Sequence, residues 1–229
     1  MPGLFVLYGG TFDPVHHGHL AIARAARDAL GATIRLMPAA DPPHRSPPGA
    51  AAADRMAMLE LALEGEDRLA ADSRELRRDE RSWTMDTLRA LRREVGEALP
   101  VALLLGADSF AGLPGWKDWR SLFGCAHFVV ASRAGAPLEG DALVPALASE
   151  IAGRVVGDAH SLREAPAGSV LYLRQPLHPE SATAIRAAIA AGAPWRERVP
   201  APVADYIDRH SLYRHGDGGI NGAVAGARV

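Results

Sequence analysis

The opening of the chain allows few architectures. A short apolar run from Leu4 to Tyr8 stops at Gly9-Gly10, and apolar residues at helical spacing then run from Gly18 to Leu30 before Gly31. A second apolar stretch, Thr33 to Met37, follows at once. The period changes from that of a buried strand to that of an amphipathic helix and back, which describes one βαβ unit. Such a unit makes two parallel strands joined by a right-handed crossover, and it places ligands at the carboxyl ends of the strands.

The alternation continues. A Pro-rich loop, Asp41 to Ala50, precedes a helical pattern from Ala51 to Glu64. Leu69 to Asp72 reads as a strand, Thr84 to Ala98 as a helix, and Val101 to Leu105 as a fully buried strand entering Gly106-Ala107-Asp108. Trp116 to Phe123 predicts a short helix, Ala126 to Ala131 and Val170 to Leu173 strands, and Ser181 to Ala191 and Pro202 to His210 helices. Residues 134–168, rich in Ala, Gly and Pro, carry no clear period, and a helix is expected within Leu143 to Ala152. The pattern predicts an α/β fold with one doubly wound parallel sheet, a single domain over residues 1–214. The Gly- and Ala-rich stretch 215–229 has little to bury and is expected to be disordered.

Composition excludes several functions. A formal net charge of -2 supplies no general attraction to nucleic acid or an anionic membrane, so phosphate must be met by local groups. The start lacks a basic leader, and no stretch approaches the ~20 apolar residues of a membrane span, which points to the cytoplasm. Cys125 is the sole cysteine, leaving no internal disulfide and no multi-thiolate zinc site, and it is expected in the core.

The chemistry concentrates after the first strand, in Gly9-Gly10-Thr11-Phe12-Asp13-Pro14 and His16-His17-Gly18-His19. Glycines let backbone N–H groups approach phosphate oxygens, and a helix start adds unpaired donors and partial positive charge. His16 and His19, three apart, can face one pocket, while His17 points elsewhere. Two plainer readings stand beside this one: a tight turn with ordinary helix-start histidines, or a hydrolase metal site of Asp13, His16 and His19. A second signal is Ser181-Ala182-Thr183-Ala184-Ile185-Arg186, with hydroxyls at a helix start and an arginine on its first turn. Alone, it is a capped helix; beside the first motif, it can hold a triphosphate.

G-T-F-D-P followed by H-x-G-H resembles the signature of the H-x-G-H nucleotidyltransferases, which transfer a nucleoside monophosphate from ATP or CTP, and the late S-x-T-x-x-R resembles their second motif. Asp41-Pro42-Pro43-His44-Arg45, Ser82-Trp83-Thr84 with Thr87-Leu88, Leu105 to Ser109 with Trp116, and His210 to Arg214 narrow the resemblance to bacterial nicotinate-nucleotide adenylyltransferases. These segments span residues 4–214. The resemblance implies a Rossmann-like sheet, with His16, His19 and Arg186 as catalytic donors. It implies ATP held by Gly9, Gly10, Thr11, Phe12, Gly18, Gly106, Asp108, Ser181 and Thr183. It implies nicotinic acid mononucleotide met by His44, Arg45, Thr84, Trp116 and Lys117, with Mg²⁺ carried mainly by the phosphates rather than by protein ligands. Nucleic acid and membrane are not expected partners, and the sequence leaves homo-oligomerisation open.

The residues themselves agree with those roles, each beside a plainer reading. Arg45 and His44 are phosphate donors or a solvated basic pair; Asp108 is a ribose acceptor or a helix cap; Trp116 is a flat face for a pyridine ring or core. Trp83 and Trp119 are expected in the core. Two positions depart from the family pattern: Glu180 replaces the usual isoleucine, and Lys117 stands where some members carry a second aromatic. Phosphopantetheine or nicotinamide mononucleotide as acceptor, or a non-catalytic nucleotide sensor, are the alternatives.

Overall fold

The computed structural model describes residues 3–40, 49–77, 83–132, 143–175 and 178–214. β1 (Phe5–Gly10) leads into α1 (His17–Leu30), which Gly31 ends with a left-handed φ of 58°, and β2 (Ile34–Pro38) pairs parallel to β1. There follow α2 (Ala52–Leu63), β3 (Leu69–Ala71), α3 (Thr84–Val95), β4 (Val101–Gly106), the short α4 (Ala107–Ala111) and β5 (His127–Ala131). The chain continues with α5 (Pro145–Ile151), β6 (Val155–Val156), β7 (Val170–Leu173), α6 (Ala182–Ala190) and α7 (Ala201–Arg209).

The strands form one sheet in the order β3-β2-β1-β4-β5-β7-β6, and every pair is parallel. Side chains alternate between its two faces, and both faces are covered. Val6, Tyr8, Ile34, Leu36, Ala102 and Leu104 pack into one apolar layer with α1, α2, α6 and α7. Leu7, Leu103, Leu105, Phe128 and Val130 pack into the other with α3, α4 and α5. This explains why the strands read as unbroken apolar runs rather than alternating ones. β1 meets β2 on one edge and β4 on the other, so the winding reverses there and a crevice opens beyond Gly10 and Gly106.

The structure departs from the expectations in several places. Trp116 to Phe123 is not a helix: 3₁₀ turns occupy Leu113–Gly115 and Trp119–Gly124, with Trp116 between them. α4 and the two-residue β6 went unread, being too short to display a period. The helix expected within Leu143 to Ala152 is α5. Cys125 is half-buried beside the second apolar layer rather than within it. The predicted tail, 215–229, lies outside the described residues.

One buried polar residue gives a pH-dependent prediction. His127, on β5, is fully buried; its Nδ1 accepts from Ser169 N at 3.0 Å, and Nε2 lies 2.9 Å from Ala165 O. Burial pushes the imidazole below its ordinary 6.5, outweighing the Ala165 hydrogen bond. As pH falls below 6.5, the unfolded chain binds a proton that the folded chain does not, so stability is expected to fall, by at most about 1.4 kcal/mol per pH unit from this residue. Melting temperatures measured from pH 7.5 to 5 check this. His127→Gln is expected to flatten that slope, and an unchanged slope in the variant would assign it to other groups.

Candidate active site

The turn after β1 is shaped by contacts that dictate its residue types. Phe12 adopts a left-handed φ of 49° and folds its ring inward, edge-on to Tyr8 with centroids 5.4 Å apart and 4.9 Å from the His19 ring. A Cβ on Gly10 would lie 2.8 Å from the Phe12 ring, so only glycine fits. His16 caps α1, its carbonyl accepting from His19 N at 2.9 Å, and its ring stacks on that of His19 at 3.7 Å. A Cβ on Gly18 would press to 3.1 Å on the His16 ring, which is why glycine separates the two histidines. The expected pair is therefore assembled at the strand end. Among the described residues, no group of three His, Cys, Asp or Glu is placed where it could hold a metal ion.

A cleft of about 370 Å³ lies at the winding reversal, floored by Gly9, Gly10 and Leu103–Leu105. Thr11, Asp108 and Ser109 line one part, and Thr84, Trp83, Trp116 and Lys117 another. Thr84 opens α3, whose first N–H groups lack intrahelical acceptors and whose start carries no side-chain cap. Asp108 is exposed on the first turn of α4 rather than on the strand itself. Lys117 pairs with Asp86 at 3.2 Å and lies 5.6 Å from the Trp83 ring centroid. A second cleft, of about 420 Å³, sits at the amino ends of β1 and β2 beside Gly31 and Arg163, away from both motifs.

The late helix reaches the elbow. Arg186 donates from NH1 to the carbonyl of Asp13 at 2.7 Å, and its guanidinium lies 3.6 Å from that residue's carboxylate. Two details differ from expectation. Ser181 occupies the N-cap of α6 but makes no side-chain capping bond. Arg186 is the fifth helical residue, on the second turn rather than the first. Thr183 is exposed near the start of that helix. Glu180 is half-buried and faces His178 at 3.4 Å, so this turn is tied by a polar contact in place of an apolar one.

Of the sequence-predicted residues, Gly9, Gly10, Thr11, Thr84, Asp108, Trp116 and Lys117 line the cleft, while His16, His19 and Arg186 converge on the elbow. Gly106 forms the cap between β4 and α4. His44 and Arg45 lie outside the described residues. Trp83, expected in the core, instead lines the cleft, because it precedes α3 at the strand ends; Trp119 is buried as expected.

Four residues play parts in the structure that the sequence analysis does not give them. Arg55, fully buried, donates to Thr11 O at 2.8 Å and Ala40 O at 3.1 Å. Glu75, buried in the cleft wall, accepts from the Thr87 hydroxyl at 2.8 Å. Asp13 and Tyr213 share a hydrogen bond. Asp13 and Tyr213 stand in the G-T-F-D-P and His210–Arg214 segments, and a charged residue within an apolar helical pattern was the signal at Arg55.

A crevice at the winding reversal, with a glycine elbow, paired imidazoles and an arginine helix around it, defines a nucleotide-binding α/β enzyme. The chain matches the cytidylyltransferase-like family over residues 7–188 and belongs to it. It is 53% identical over 219 residues to a protein of Stenotrophomonas maltophilia strain K279a named "Probable nicotinate-nucleotide adenylyltransferase", covering 93% of this chain and 98% of that one. A protein of the same name from Xylella fastidiosa strain 9a5c is 49% identical over 217 residues, with 93% and 97% covered. Within its class the chain thus falls among the nicotinate-nucleotide adenylyltransferases. The Plasmodium falciparum nicotinic acid mononucleotide adenylyltransferase complexed with NaAD superposes with a TM-score of 0.67 at 14% identity, covering 92% of this chain and 97% of that one, and shares the fold.

Proposed function

We propose that this protein transfers the adenylyl group of ATP to nicotinic acid mononucleotide, giving deamido-NAD and pyrophosphate in NAD biosynthesis. The observation that carries the reading is that one turn joins the two parts of the site: Gly9, Gly10 and Thr11 line the cleft opposite Thr84 and Trp116, and the same turn runs on into Asp13, which Arg186 holds, and the stacked His16–His19 pair. Residues 1–214 are read as one catalytic domain, acting in the cytoplasm.

The mononucleotide's phosphate is mostly ionised near neutral pH, its second pKa being about 6, so no protein base need remove a proton. One of its oxygens attacks the α-phosphorus in line; the new O–Pα bond forms as the bond to the β-phosphate bridging oxygen breaks, and pyrophosphate departs with the electron pair. His16, His19 and Arg186 donate to the phosphate oxygens as charge moves toward the leaving group. Ser181, Thr183 and the uncapped start of α6 hold the triphosphate tail, while Gly9 to Phe12, Gly18 and Gly106 let backbone N–H groups approach the nucleotide. Asp108 accepts from ribose hydroxyls. Trp116 covers the pyridine ring, and Thr84 with the first N–H groups of α3 receives the nicotinate carboxylate, which the positive end of the helix favours. Lys117, tied to Asp86, leaves that carboxylate mainly to α3, and His44 and Arg45 serve the acceptor phosphate.

Mg²⁺ is read as arriving with the substrate, as MgATP, carried mainly by the phosphates. Bound there, it offsets charge on the departing pyrophosphate.

Pyrophosphate release is the test, with MgATP alone and with nicotinic acid mononucleotide, nicotinamide mononucleotide or phosphopantetheine added in turn. Release is expected with the first acceptor, at a kcat/KM well above that for the amide. Release with phosphopantetheine only would overturn the acceptor, and release with none would favour a sensor. Trp116→Ala is expected to raise KM for the mononucleotide about tenfold, since stacking contributes ~1 kcal/mol or more, and to leave KM for ATP unchanged.

A further inference from the structure

We propose that Asp13 and Tyr213 act together as positioning residues for Arg186, fixing its guanidinium against the elbow so that its remaining donors face the triphosphate. This rests on the reading of Arg186 as a phosphate donor. Asp13 is 3% exposed, and its carboxylate is held by three donors from two distant segments. Gly49 N donates to Oδ2 at 2.7 Å, Ala50 N to Oδ1 at 3.1 Å, and the Tyr213 hydroxyl to Oδ1 at 2.7 Å. With its oxygens so occupied, the carboxylate cannot rotate, and it presents Oδ2 to Arg186 NH1 at 3.6 Å while the same residue's carbonyl accepts from that NH1 at 2.7 Å.

One hydrogen bond to a carbonyl fixes a guanidinium's position but lets its plane swing. A second, charged acceptor on the same nitrogen restricts that swing. Arg186 is anchored through NH1 and remains partly exposed, and the proposal gives its Nε and NH2 to the triphosphate.

Tyr213 is drawn in at some strain. Both it and Ser211 are non-glycine residues in the left-handed region, with φ of 62° and 51°, and the phenol is delivered beneath the elbow by this backbone. Burial, together with the Asp13 carboxylate, pushes the phenol well above its ordinary pKa, so it remains a donor throughout the working range. Gly49 closes the arrangement: a Cβ there would meet Arg186 Cδ at 3.2 Å and the Tyr213 ring at 3.3 Å. Arg55, buried on the far side, contributes a second positive charge facing Asp13. The aspartate of G-T-F-D-P is thus a bracket between the end of the fold and the arginine helix.

A double-variant cycle tests this, assayed well below each variant's melting midpoint. Tyr213→Phe, which keeps the ring and removes the hydroxyl, is expected to lower kcat/KM for MgATP about tenfold in the otherwise native chain. In an Arg186→Ala background the same change is expected to lower it by less than about twofold, with KM for the mononucleotide unaltered in both. Asp13→Asn, run in the same cycle, repeats the test without touching the aromatic packing, and the same non-additivity is expected. Equal drops in both backgrounds, or no drop in the native one, overturn the positioning role while leaving the assignment of Arg186 intact. Native turnover in Arg186→Ala alone would be the separate failure of the phosphate-donor reading, visible in the single variant.

Discussion

Replacing His19 by alanine is expected to lower turnover by on the order of 10² to 10³ while leaving the fold in place. The imidazole stands on the first turn of α1, where the proposed reaction develops phosphate charge, and a donor aligned before the reaction needs no reorganisation during it. Its structural role is smaller. His19 is half-buried and contacts the rings of His16 and Phe12, so its loss should destabilise by about 1 kcal/mol, lowering the melting temperature of a chain this size by a few degrees. The measurement is kcat for pyrophosphate release at saturating MgATP and mononucleotide, with a melt of the same preparation. Turnover within roughly threefold of native would remove His19 from the chemistry. Because His16 and His19 stack at 3.7 Å and are proposed to act on one phosphate chain, the double alanine variant is expected to lose much less than the product of the single losses.

The largest expected effect on stability lies far from the cleft. Arg92, on α3, is 5% exposed, and its guanidinium donates to four carbonyls: Cys125 at 2.8 Å, Gly96 at 3.3 Å, Leu99 at 2.6 Å and Pro166 at 2.7 Å. It joins the end of α3 to the segments entering β4, β5 and β7. Arg92→Ala would strand several buried acceptors and leave a void, for an expected loss on the order of 4 kcal/mol. In a chain of this length that corresponds to roughly 10 °C in melting temperature. Arg92→Lys should recover little, since a compact ammonium cannot span acceptors that a planar fork reaches together. Thermal and urea melts check both variants; a shift of about 2 °C or less in Arg92→Ala would show that water replaces the guanidinium.

Much of this was readable before any coordinates. The βαβ opening, the buried strand at Val101, the helices that became α2, α3, α6 and α7, and late β7 all declared themselves through period and punctuation. What escaped was short or non-local. The 3₁₀ turns around Trp116 and the two residues of β6 are below the length at which a period exists. Trp83 and Trp119 are both expected in the core from sequence, yet one lines the cleft and the other is buried, because Trp83 falls at the carboxyl edge of the sheet.

The elbow shows the division most plainly. Residue order alone required glycine, a helix start and two histidines three apart after β1, because strand, turn and helix are local and each residue type has few permitted places in them. The partners of Asp13 are another matter: Gly49, Arg186 and Tyr213 lie 36, 173 and 200 positions away. Their meeting depends on strand order and on how α6 and α7 pack over one face of the sheet. No local period encodes such a meeting, because it results from the summed burial of both apolar layers, and folding as a whole selects it.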